Sequence, residues 1–234
     1  MFLFDTSIIS FFHQISLQFP QLSPLIVMVS ENGLLKGAVI SALVWWLWFQ
    51  PSEFSKLIQD RIIFTLVISG ISMILARVLA KLLPFRIRPF ANPEIGLAFP
   101  PSGHEGLQTW SSFPSDHAVL FFSMATGIYL CSRFLGSLAF FHTIVFVCLP
   151  RIYLGLHYPT DLLGGGLIGI GMGLLGNRKT VRHFIVKPIN MLMRKNPSLF
   201  YASFFLITYQ IADVFYALRS LVVLLIRGYW KSQS

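Results

Sequence analysis

Six apolar stretches, at about 34–50, 61–83, 115–133, 136–150, 160–176 and 199–226, divide a chain of 234 residues. Most are near the ~20 residues that an α-helix needs to cross a hydrocarbon core. No water reaches a backbone in that core, so each spanning segment must satisfy its own N–H and C=O groups, as a helix does. The expected fold is therefore all-α: a polytopic membrane helix bundle of about six transmembrane helices. Only 12% of the residues are charged, against roughly 25% in a soluble domain. That shortfall excludes both a soluble globule and a disordered chain. The fourth stretch is short, and Pro150 is expected to end it. Gly165, Gly169 and Gly173 recur every four residues, the spacing that lets two helices approach closely.

The first 33 residues read differently. Phe4, Ile8, Phe11, Phe12, Ile15 and Phe19 recur at helical spacing, opposite Thr6, Ser7, Ser10, His13, Gln14 and Gln18. This pattern predicts an amphipathic segment lying in the membrane interface. A short apolar stretch, Leu25 to Val29, is expected to stop at Ser30-Glu31-Asn32-Gly33. The division is thus an interfacial segment over 1–33 and an integral-membrane domain over 34–234. Without a basic start or a small-residue cleavage site, no secretory signal is expected. Cys131 and Cys148 both sit in apolar runs and suggest neither a disulfide framework nor a zinc site. Asp213 falls inside the last stretch, where a charge is expensive, with Arg77 or Arg219 as its expected partner. His142 reads as a packing residue.

Lys and Arg number 18 against 9 acidic residues. In such a chain the excess speaks first of topology, and nothing points to nucleic acid. Residues 177–198 carry Arg178, Lys179, Arg182, Lys187, Arg194 and Lys195 with no acidic residue. The positive-inside rule places that connector in the cytoplasm. Lys56, Arg61 and Arg133 then face inward too, and the 84–114 and 151–159 connectors face outward, across the cytoplasmic (inner) membrane. Lys81, Arg86, Arg88 and Arg151 stand on the side the rule does not favour. Anion binding is the natural reason for cations placed there.

Three separate pieces of chain converge on that outer edge. They are Lys81-Leu-Leu-Pro-Phe-Arg86-Ile-Arg88-Pro89, Ser112-Phe-Pro-Ser115-Asp116-His117, and Arg151-Ile-Tyr-Leu-Gly-Leu-His157-Tyr-Pro-Thr-Asp161. Cations, histidines, a serine and a carboxylate in one place suit phosphoryl transfer. Arginine holds phosphate oxygens bidentately, and a helix starting at Ser115 offers its first N–H groups to an anion. One histidine can attack phosphorus while another protonates the leaving oxygen. A carboxylate can hold a histidine in the right tautomer.

These residues resemble the type 2 phosphatidic acid phosphatases. That membrane superfamily includes undecaprenyl-diphosphate phosphatases and shares its site with vanadium haloperoxidases. The family pattern, K-x6-R-P, then P-S-G-H, then S-R-x5-H-x3-D, is met in order by Lys81…Arg88-Pro89, Pro114-Ser115-Asp116-His117 and Arg151…His157…Asp161. The likeness covers about residues 60–176. It implies that His157 is the nucleophile of a phosphohistidine mechanism, oriented by Asp161, and that His117 is the general acid. It implies a phosphate cradle of Lys81, Arg88, Ser115, the backbone of Asp116, and Arg151, with no metal and no cofactor. Asp116 stands where glycine is usual, so its side chain is expected to turn away from the phosphate, towards a basic neighbour. Pro150 replaces the usual serine. The S-D-H variant resembles the bacitracin-resistance type and favours a polyprenyl substrate.

The chain also contains Pro101-Ser102-Gly103-His104, which spells the commoner form of the second motif. No apolar run follows it, whereas one begins directly after His117. His117 is therefore the expected acid, and His104 a lid residue. The implied activity is hydrolysis of a phosphate or diphosphate head group from a lipid in the bilayer, with undecaprenyl diphosphate first. Phosphatidylglycerol phosphate, phosphatidate, lipid A, a lipid phosphotransferase activity and a non-catalytic lipid-phosphate carrier are the alternatives. A carrier would need discontinuous helices at mid-membrane and pseudo-symmetric halves, and the sequence offers neither.

Overall fold

A computed structural model describes residues 3–101 and 105–215, and among these every regular element is helical. In order they are α1 (Leu3–Gln18), α2 (Leu22–Glu31), a π-turn (Leu34–Ala38) leading into α3 (Val39–Phe49), and α4 (Ser55–Leu82). Then come α5 (Asp116–Cys131), α6 (Arg133–His142), a second π-turn (Thr143–Cys148), α7 (Leu149–Tyr153), α8 (Pro159–Leu174), α9 (Lys179–Lys195) and α10 (Pro197–Ala212). Helix thus forms at all six apolar stretches, the last only as far as it is described.

Among the described residues, two helices are by themselves long and apolar enough to cross a membrane: Ser55–Leu82, and Arg133–Tyr153, which runs α6, the π-turn and α7 together. A third candidate is the pair Leu22–Glu31 and Leu34–Phe49, bent by 63°. Asn32 makes that bend. Its backbone is extended, and its Oδ1 accepts from the N–H groups of Leu34 and Leu35 at 2.9 and 3.2 Å, capping the second half. The Leu25–Val29 stretch is therefore the first limb of a bent pair instead of an isolated fragment.

Pro150 does not end the fourth stretch. It sits in the first turn of α7, directly after the π-turn, in which the Leu149 N–H reaches back to the Ile144 carbonyl. The wider π-turn shifts the hydrogen-bond register there, so a residue without an N–H leaves no gap in the ladder. The basic connector is also not a loop: α9 runs through it despite Pro188. Val186 is buried, and Ile185, Ile189 and Met193 pack on the core, while the cations take the opposite face.

α5 is the centre of the bundle, with Leu120, Phe121, Met124 and Ile128 fully buried. α4 lies on one side of it, where Ser69 Oγ donates to Ser123 Oγ at 3.0 Å. α8 lies on the other, backbone against backbone. A methyl group on Gly165 would meet the Ser115 carbonyl at 2.7 Å, and one on Gly169 the Val119 carbonyl at 2.5 Å. This seam sets the N-termini of α5 and α8 side by side. Gly169→Val is expected to cost about 1–3 kcal/mol through overpacking. Gly171→Ala, which meets nothing within 4 Å, is expected to be neutral. Thermal unfolding in detergent compares the two.

α1 packs on α7 and α8. Its buried positions are Asp5, Ile9 and Ser16, while Phe4, Phe11 and Phe19 of the apolar stripe are about half exposed. The face that docks on the bundle is thus not the most apolar one, because it carries a carboxylate into the site.

Candidate active site

The helix ends come first. Ser115 is the N-cap of α5, fully buried, its Oγ accepting from the Ala118 N–H at 3.4 Å. Its own N–H donates to the backbone carbonyl of Asp161 at 3.3 Å, tying the start of α5 to the first turn of α8. At the start of α8, Pro159 occupies the first turn, and the Asp161 carboxylate reaches back to the Tyr158 N–H at 2.8 Å. Ahead of it, α7 stops at a left-handed Gly155 with φ of 67°, which frees Leu156 and His157 to turn inward. Glycine takes that conformation without penalty.

His157 is buried, and its two ring nitrogens face different partners. Nδ1 lies 2.8 Å from the Ser112 carbonyl, and Nε2 lies 3.3 Å from Nη1 of Arg88. A carbonyl only accepts and a guanidinium only donates, so the proton sits on Nδ1 and the lone pair on Nε2. Burial pushes the His157 pKa below its ordinary 6.5, against the pull of the nearby Asp161 carboxylate, and Arg88 adds to the lowering. The ring is therefore neutral near pH 7. Asp161 stands 3.7 Å from Nδ1, longer than a hydrogen bond. The Ser112 carbonyl holds the tautomer, and the carboxylate acts through its field.

Arg88 is itself buried, held by the carbonyls of Trp110 at 3.2 Å and Leu156 at 2.8 Å. A cavity of about 630 Å³ opens beside it. Arg88, Arg151, His117, His157 and Asp116 line this cavity, so the structure brings these five expected residues together. It does not bring Lys81, which is exposed at the end of α4 with its ammonium 5.8 Å from the Trp110 ring centroid, beside a separate cleft. Ser115 lies beneath the wall as a cap. The Asp116 carboxylate does not turn out of the cavity. It finds its basic neighbour inside: Arg77 at 3.6 Å, and also Nδ1 of His117 at 2.8 Å. Arg77 thus meets Asp116, Asp213 lines the same cavity, and Arg219 lies outside the described residues. So do Ser102 and His104, and with them the lid role expected of His104.

The family pattern also passed over Lys36 and Arg77, both of which line the cavity. A cation in an apolar stretch was the available signal. Arg86, which the pattern does not use, bridges two carboxylates that are wholly buried. Nη2 meets Asp5 at 2.7 Å, and Nη1 donates to Asp161. Asp5 also accepts from the N–H and Oγ1 of Thr160, at 3.0 and 2.7 Å. The guanidinium lies 4.1 Å from the Tyr158 ring centroid. Nothing in the amphipathic pattern of α1 marked Asp5 as part of this network. Among the described residues, no group of three or more His, Cys, Asp or Glu stands together as a metal site.

The PAP2 superfamily model matches residues 61–184, which contain all eight residues singled out by the motif. The chain belongs to the PAP2 superfamily. One similar protein is YbjG of Escherichia coli (strain K12), named as a candidate undecaprenyl-diphosphatase. It is 30% identical over 153 residues, covering 64% of this chain and 70% of YbjG. The undecaprenyl-diphosphatase BcrC of Bacillus subtilis (strain 168) is 26% identical over 66% of this chain and 72% of its own. The bacitracin transport permease protein BcrC of Bacillus licheniformis is 27% identical over 68% and 72% respectively. No solved structure matches the chain.

Proposed function

We propose that this PAP2 chain is an integral-membrane lipid phosphatase that removes the terminal phosphate of a polyprenyl diphosphate, undecaprenyl diphosphate first. The observation that carries the reading is the unprotonated Nε2 of His157 beside the buried guanidinium of Arg88, at 3.3 Å. A phosphate oxygen drawn to Arg88 brings phosphorus to that lone pair. Nε2 forms a bond to phosphorus, the bond to the leaving oxygen breaks, and His117 gives that oxygen its proton. Water, deprotonated by His117, then displaces His157 and frees inorganic phosphate. Asp116 lies 2.8 Å from Nδ1 of His117 and fixes the orientation of the ring.

The relatives' names support the polyprenyl substrate. Outward apolar side chains such as Ile74, Leu167 and Phe205 support burial in lipid. The deciding experiment is phosphate release by purified protein in detergent from a panel of undecaprenyl diphosphate, phosphatidylglycerol phosphate, phosphatidate and lipid A. Release from none of them sinks the proposal. His117→Ala is expected to lower kcat by at least ~10²-fold on the lipid. In kcat/KM, which reports the transfer to His157 and not the later hydrolysis, the loss on an aryl phosphate, whose leaving group needs no proton, should be far smaller than on the lipid. Equal losses on both would remove His117 from the acid role.

The cations of α9 favour a cytoplasmic position for that helix and an outward site. In a chain lacking Cys131 and Cys148, a cysteine replacing the exposed Ala98 should react with an impermeant thiol reagent added to intact cells. One replacing the exposed Thr180 should not. The reverse pattern overturns the orientation.

A further inference from the structure

α1 lies outside residues 61–184, which the superfamily model matches, yet its Asp5 carboxylate has no exposed surface and both of its oxygens are engaged at the site. Oδ1 accepts from the Thr160 N–H at 3.0 Å, and Oδ2 accepts from the Thr160 hydroxyl and from Nη2 of Arg86, each at 2.7 Å. The other arm of that guanidinium, Nη1, donates to Oγ1 of Thr160 at 2.9 Å and to Oδ1 of Asp161. Oδ2 of Asp161 accepts from the Tyr158 N–H at 2.8 Å and stands 3.7 Å from Nδ1 of His157. Links therefore run from α1 to the imidazole: Asp5 to Arg86, Arg86 to Asp161, and Asp161 to His157.

Charge makes the first of these links matter. Arg86 and Asp161 by themselves sum to zero, whereas with Asp5 the trio carries one net negative charge. As Nε2 bonds to phosphorus, the electron pair of the breaking bond leaves with its oxygen. The imidazole, still holding its proton on Nδ1, becomes a cation. A fixed negative charge beside that cation stabilises the transfer, and a neutral pair does so far less. We propose that Asp5 is a positioning residue for the phosphoryl transfer: it neutralises Arg86 from the far side, so that Asp161 keeps its charge for the cationic ring of His157. This rests on the phosphatase reading above and adds to its site a residue from a helix outside the family match.

Asp5 also fixes where that charge stands. The first N–H groups of a helix lack partners within it, and in α8 the Thr160 N–H is capped by the carboxylate of another helix. Asp161 is the next residue, so α1 holds the turn that carries it. Arg88 and Asp116 also face His157. Arg88 is held by the Trp110 and Leu156 carbonyls, and Asp116 by His117 and Arg77, so neither leans on Asp5. A change at Asp5 is thus conveyed to His157 through Arg86, Thr160 and Asp161.

The test uses the purified full chain in detergent with undecaprenyl diphosphate. Asp5→Asn keeps the shape of the side chain and an oxygen for the Thr160 N–H, and removes the charge. It is expected to lower kcat about 10-fold, the scale of one charge acting over ~10 Å at an effective dielectric constant of about 20, with KM little changed. Vanadate accepts a fifth ligand, so it can bond to Nε2 as phosphorus does during transfer, and it should inhibit the variant about 10-fold less tightly. Inorganic phosphate, which makes no such bond, should inhibit as before. Adding Arg86→Met returns the net charge to one negative and should restore most of the vanadate inhibition. Ile9→Ala loosens the buried face of α1 without touching the charges. It should lower the unfolding temperature and leave the ratio of vanadate to phosphate inhibition unchanged. Should Asp5→Asn not fold, Asp5→Ser takes its place with the same expectations. Unchanged kcat, equal weakening of both inhibitors, or a double variant no better than the single one overturns the proposal. A wild type that releases no phosphate from any lipid of the panel overturns the phosphatase reading itself.

Discussion

His157→Ala is expected to lower kcat by ~10⁴-fold or more, the scale of removing a nucleophile from a site that keeps its other groups. The imidazole makes one bond to the Ser112 carbonyl and one to Arg88, and neither holds two helices together. The variant should therefore remain folded, with unfolding temperature close to wild type. The matching positive signal is chemical. Wild type mixed briefly with a ³²P-labelled lipid diphosphate and quenched in base should carry label on protein that acid then releases, as a P–N bond requires. His157→Ala should carry none. Label retained in that variant would move the nucleophile elsewhere.

The second large effect falls on stability. Arg86 stands between the carboxylates of Asp5 and Asp161, both without exposed surface. Arg86→Met removes the cation that both carboxylates share. Breaking a buried pair from one side costs about 3–5 kcal/mol, and here one cation serves two anions. A large fall in unfolding temperature is expected. The double variant Asp5→Asn, Arg86→Met strands one carboxylate in place of two and should recover part of the loss. If the double variant is no more stable than Arg86→Met alone, the network contributes little and α1 is held by its apolar contacts.

The site could be found from sequence because its chemistry sits at helix ends whose apolar runs are long and well separated. Lys81 to Arg88 closes α4, Ser115 opens α5, and Arg151 to Asp161 links α7 to α8. Spacing and helix boundaries therefore pointed to Arg88, Asp116, His117, Arg151 and His157, which line one cavity. What escaped was whatever depends on tertiary placement. Lys81 matches the motif yet stays outside the cavity, because the end of α4 turns its ammonium towards Trp110. Lys36 enters from an apolar stretch, and Asp5 from a helix whose pattern advertised only an amphipathic surface. α9 was hidden by its charges and by Pro188. The π-turns had no marker, since a single widened turn leaves the apolar periodicity nearly intact.

The glycine seam between α5 and α8 works as a caliper. Ser115 sits two residues before His117 on one jaw, and Gly165 one turn after Asp161 on the other, with a carbonyl and a missing Cβ in contact between them. The gap between the proposed nucleophile and the proposed acid thus depends on the absence of a methyl. Widening it by one carbon at Gly165 would spoil the fit to a single phosphorus atom while leaving every reactive side chain in the sequence. Such a lesion would be invisible to any inventory of catalytic groups.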